Sequence, residues 1–212
     1  MAGRTSRFEA NPIIVEQYPS WIEQLPMHYI NAKLMRIVQF YVFNSPCRTA
    51  SWGRISMEQY GWTNYWHSNH FRSAIYNNAE LADFYSAENP TALARIWPDK
   101  ENFSYSTEEF AYFVNTGEES PLMSVFHSIR NSFAHGRFRI NGDYIFFEDV
   151  KNDKKNTIVM ARICLKCKTL ENWIHIIKCD DNNECGRLGR DIKETMKANR
   201  LKNTNRNKSH VS

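Results

Sequence analysis

Apolar residues recur at helical spacing through most of the chain and switch to alternation late in it. Ile30, Leu34, Ile37, Val38, Tyr41 and Val42 keep the offsets of one buried helix face, and Asn44, Ser45 and Pro46 close that run. Ser20 and Glu23 form a capping-box pattern for a short helix that Pro26 ends or kinks. Phe71, Ala74, Ile75, Ala82 and Tyr85 predict a helix from about Ser68 to Tyr85, and a short helix is expected from Thr91. A further helix is predicted from Ser106, with Glu109 completing its cap and Phe110, Phe113 and Val114 on its inner face.

The next helix is bounded at both ends. Ser120 suits the N-cap, Pro121 the first helical position, and Gly136 the stop. Leu122, Val125, Phe126, Ile129 and Phe133 form its apolar stripe. Ser124, His127, Ser128, Asn131 and His135 fall opposite that stripe, with Arg130 on the shoulder between the faces.

Beyond Gly136 the period becomes two. Arg137–Ile140, a turn at Asn141 and Gly142, and Asp143–Asp149 read as a β-hairpin. Lys151–Asn156 follows as a polar loop and Thr157–Lys166 as a third strand, and Leu170, Trp173, Ile174 and Ile177 mark a closing helix at about 169–179. The expected fold is mainly α: a helical bundle with a small antiparallel β-meander at about 137–167, in one domain spanning 1–185. Between Ser51 and Trp66, Trp52, Tyr60, Trp62, Tyr65 and Trp66 interleave with Gly53 and Gly61, which fits loop or strand; core or interface packing is favoured over stacking on bases.

Charge changes the picture at one end. Residues 186–212 carry eight basic and two acidic side chains, a net +6 in a chain whose total is +4. With little to bury, this segment is expected to be a mobile basic tail that attracts RNA phosphates or serves solubility. The first residues lack a signal-like apolar stretch and no later run is long enough to span a bilayer, so a soluble, cytoplasmic protein without membrane contact is expected. Five cysteines suit a reducing compartment. Cys164, Cys167, Cys179 and Cys185 invite a zinc reading, but Cys164 and Cys167 fall on opposite faces of the predicted strand. No metal or cofactor is expected.

Candidate chemistry centres on Arg130, Asn131 and His135. A guanidinium holds phosphate oxygens and stabilises charge on a phosphorane, and an imidazole moves protons near neutral pH. An Arg, a polar residue and a His after four intervening positions, at the end of a late helix, resemble the HEPN superfamily. The resemblance implies a helical bundle, paired subunits whose motifs line one cleft, and metal-independent RNA cleavage of the kind found in toxins and defence effectors. In that picture Arg130, Asn131 and His135 are catalytic, and His127, Arg137 and Arg139 are candidate RNA contacts. The expected partners are RNA, a second copy of the chain and a regulatory partner such as an antitoxin. Arg137 stands where nucleotide-silenced HEPN toxins carry a Tyr. The alternative is a non-catalytic HEPN-type module for dimerisation, nucleotide binding or partner binding.

Overall fold

The computed structural model describes residues 11–15, 31–46, 56–64, 66–97, 108–153 and 156–209. Its elements in chain order are β1 (Ile14–Val15), α1 (Ala32–Gln39) with a π-helical continuation at Phe40–Asn44, α2 (Asn69–Asn77), β2 (Leu81–Ala87), α3 (Pro90–Ile96), β3 (Glu109–Val114), α4 (Pro121–Ala134), β4 (Phe138–Asn141), β5 (Tyr144–Asp153), β6 (Asn156–Lys166), α5 (Cys167–Lys178) and α6 (Glu184–Ser209). The strands form one six-stranded sheet, with five in the order β2-β3-β6-β5-β4 and β1 added to β6. β2 and β3 are parallel, joined through α3, and every other pair is antiparallel.

This sheet overturns the expectation of a mainly α bundle: the fold is mixed α/β, and the hairpin is part of its centre. Two elements account for the difference. Residues 81–87, assigned to the end of a long helix, are β2; α2 stops at Asn77, with Ser68 as its N-cap. Residues 109–114, assigned to a helix, are β3, and all six are buried. A strand covered on both faces reads as a continuous apolar run, and Phe110, Phe113 and Val114 within such a run also match helical offsets. The expected helix near Pro26, Trp52, Gly53, Tyr65 and Ser106 lie outside the described residues.

Alternating side chains divide the core between the two faces of the sheet. On one, Ala111, Phe113, Ile145, Phe147, Ile163 and Leu165 pack with α1, α2, α4 and α5. On the other, Phe110, Tyr112, Phe146 and Cys164 cluster with Leu93 and Trp97. Trp62 is fully buried on the first face, 4.6 Å edge-on from Phe71, and its indole N–H donates to the carbonyl of Ile177 at 2.7 Å. Such a side chain contributes about 1.5–3 kcal/mol through burial alone. The aromatic segment therefore serves the core at Trp62.

The hairpin turn sits one residue later than the sequence suggested. Asn141 pairs with Tyr144, so the loop is Gly142 and Asp143, and Gly142 has the positive φ of 59° that the first position of a type II′ turn requires. The basic C-terminal segment is helical, and its beginning belongs to the domain. A Cβ on Gly186 would lie 2.1 Å from the carbonyl oxygen of Asp180, and one on Gly189 2.2 Å from that of Ile176, so only glycine lets α6 start against the end of α5. Ile192 joins the core, and the Lys193 ammonium donates to the carbonyl of Tyr60 at 2.5 Å and sits 4.9 Å from the Trp62 ring. The side chains of residues 197–204 are exposed. Among the described residues no helix is long and apolar enough to cross a membrane.

Candidate functional site

α4 places the site, and its sequence explains how. Ser120 accepts from the Met123 amide, and Pro121 occupies the first turn. At the other end His135 is the C-cap, Gly136 takes a φ of 67°, and Arg137 N–H returns to the Ser132 carbonyl at 2.8 Å, the longer bond of a Schellman motif. Ser124, Ser128 and Ser132, four residues apart, are all buried on the side away from the apolar stripe. Small side chains at that spacing let α4 lie close to β5. The predicted polar face is thus turned toward the sheet, leaving a cleft of about 450 Å³ lined by Glu119, Ser124, His127, Ser128, Asn131 and Asp149, with Lys151 also on its wall.

Two acid–base groups meet there. His127 Nδ1 lies 3.5 Å from Glu119 Oε1, which also accepts from the Ser124 hydroxyl at 3.2 Å. The hydrogen bond from Glu119 raises the His127 pKa; burial opposes this, the charge of Asp149 adds to it, and Arg130 works against it. Asp149 is 8% exposed, and burial pushes its carboxyl up to about 6, although His127, Ser128 and Asn131 all favour its ionised form. Asn131 Nδ2 donates to Asp149 Oδ2 at 3.5 Å, and Arg130 Nη1 donates to Asn131 Oδ1 at 2.9 Å. A chain of contacts therefore runs from guanidinium to amide to carboxyl, with an imidazole alongside.

The sequence-derived candidates divide. Asn131 and His127 line the cleft, and Arg130 is beside it through Asn131. His135 is exposed at the helix end and is not part of the cleft wall. Arg139 is half-buried and donates to the carbonyl of Phe138 at 2.9 Å. Arg137 differs most from its expected place: it is 5% exposed and ion-paired with Glu148, whose other oxygen accepts from Arg162 Nε at 3.0 Å. It offers no guanidinium to a phosphate at the surface. Asp149 and Glu119 were missed. One was read only as a strand end and the other as loop, and no local spacing links either to α4.

Among the described residues no group of three or more His, Cys, Asp and Glu side chains is arranged to hold a metal ion. Comparison with family models, with curated protein sequences and with solved structures finds no match to this chain.

Proposed function

We propose that the chain is an endoribonuclease that cleaves RNA by attack of a ribose 2′-hydroxyl on the adjacent phosphate. The observation that carries this reading is the pairing of His127 with Asp149 in one cleft, since their opposite protonation states coexist near neutral pH. Asp149, ionised above about pH 6, accepts the 2′-hydroxyl proton as that oxygen bonds to phosphorus. His127, held protonated by Glu119, gives a proton to the departing 5′-oxygen through Nε2. Arg130 and Lys151 supply positive charge for the phosphorane, and Asn131 orients Asp149. The products are a 2′,3′-cyclic phosphate and a 5′-hydroxyl. The resemblance to HEPN enzymes extends to Arg130, Asn131 and His135 and to this chemistry, while the mixed sheet departs from that family's bundle.

A second reading, in which His135 of two paired chains performs both proton transfers, is favoured by the exposure of His135. One experiment separates the two. Purified protein incubated with single-stranded RNA in excess EDTA is expected to cut it, and His127→Ala to lose most of the rate while His135→Ala keeps it. The reverse pattern would move the chemistry to a two-chain site. Intact RNA with the wild-type protein would leave a binding module.

A further inference from the structure

A second cavity, of about 310 Å³, shares Glu118 and Glu119 with the catalytic cleft and lies on the other side of them. Its walls are of a different kind. Trp66, Met57 and Met123 give it an aromatic plane and two polarisable side chains, whereas its charged groups, Glu58, Glu118 and Glu119, are all carboxylates. Trp66 is half-buried and packs against the core, which fixes its ring, and Glu58 and Glu118 are exposed at the rim. The second oxygen of Glu119, in the shared wall, is buried without a hydrogen-bond partner among the described residues. A buried acceptor left unmet is costly, so a donor arriving at that wall would be favoured.

A flat group stacks on tryptophan, methionine adapts to the edge of a ring, and ionised carboxylates accept hydrogen bonds without donating. Among the four RNA bases only guanine presents two adjacent N–H donors, N1 and N2, on its Watson–Crick edge. Adenine and cytosine offer one donor beside an acceptor on that edge, and uracil offers one donor flanked by acceptors. An acceptor-lined pocket leaves their acceptors facing negative charge.

We propose that this cavity is a base-recognition subsite that takes an unstacked guanine, with the base against Trp66 and its N1–H and N2–H donated to Glu118. The inference rests on the ribonuclease reading for its geometry, since a base here would bring its own ribose and phosphate to the His127 cleft across the shared wall. Recognition of a single-stranded base by stacking and by its Watson–Crick edge is the usual route to sequence preference in RNA.

The test uses the four nucleosides on the full chain, by calorimetric titration, together with mapping of cleavage products. Guanosine is expected to bind roughly tenfold or more tightly than adenosine, cytidine or uridine. Glu118→Gln, at an exposed position, should erase that difference without lowering Tm, and cuts should fall beside guanines in the wild type alone. Equal binding of all four nucleosides, or of none, overturns the subsite even if RNA is cut. Selective guanosine binding that Glu118→Gln removes, with RNA left intact, keeps the subsite and rejects the ribonuclease reading.

Discussion

Glu148 and Asp149 are adjacent on β5 and point to opposite faces of the sheet, and their surroundings differ as much as their directions. Glu148 has no exposure, and Arg137 and Arg162 engage its two oxygens; the Arg162 guanidinium also lies 5.1 Å from the centre of the Trp97 ring. Asp149 is almost as buried, but its wall opens into a cleft, and the partners that favour its charged form are an amide, a hydroxyl and an imidazole. Two fixed positive charges lock the first carboxylate into the fold. Neutral or titrating partners leave the second able to change protonation state near neutral pH. The difference teaches that burial alone does not mark a functional carboxylate. What marks it is burial with incomplete charge compensation beside a cavity.

The largest expected effect is on catalysis. His127→Gln keeps a side chain able to bond Glu119 but cannot deliver a proton, so RNA cleavage should fall by about 10²–10⁴-fold with little change in Tm. A loss of rate explained entirely by unfolding would erase the distinction between the two faces.

Next is the locked carboxylate. Glu148→Ala leaves two buried guanidinium groups uncompensated and should lower the unfolding free energy by about 3–5 kcal/mol in urea titrations. Replacing Arg137 and Arg162 by Met in the same chain should restore most of that loss. If Glu148→Ala alone is as stable as the wild type, the structural role assigned to this cluster is wrong.

Asp149→Asn should do the opposite. Because the folded pKa of Asp149 is raised to about 6, folding favours its protonated form, and the wild type loses stability as pH rises from the unfolded value toward 6. The neutral amide avoids that loss. The variant should therefore be more stable than the wild type by up to about 3 kcal/mol above pH 6, with the gap closing near pH 4. Thermal melts across that range check the sign, and activity should be lost in the same variant.

The smallest effect tests the tuning. Ser128 bonds to Asp149 and favours its ionised form. Ser128→Ala should move the acidic limb of the pH–rate profile upward by less than about one unit. A downward shift would mean that Asp149 is not the group titrating on that limb.

Much of the local structure was legible because it is encoded by neighbours in sequence. The caps at Ser68 and Ser120, the stop at Gly136, the alternation of Phe138–Asn141 and Asn156–Lys166 and the apolar face of α5 each rest on contacts within one element. The half of the site on α4, from His127 to Asn131, was legible for the same reason. What was not legible depends on elements far apart in the chain. β3 is a strand because β2 and β6 pair with its two edges and packed residues cover both faces, a circumstance that leaves no alternation to read. α6 joins the domain because two glycines meet the backbone of α5, and glycine spacing alone does not announce a partner. The sequence by itself determined α4, its polar face and the hairpin after it, since hydrogen bonds and side-chain periods within a few residues suffice for these. Only the tertiary structure decided that this face meets Asp149 across a cleft, that His135 stays outside it and that Arg137 is locked to Glu148. Those outcomes follow from how closely α4 approaches β5 and from which face of the sheet each strand residue occupies.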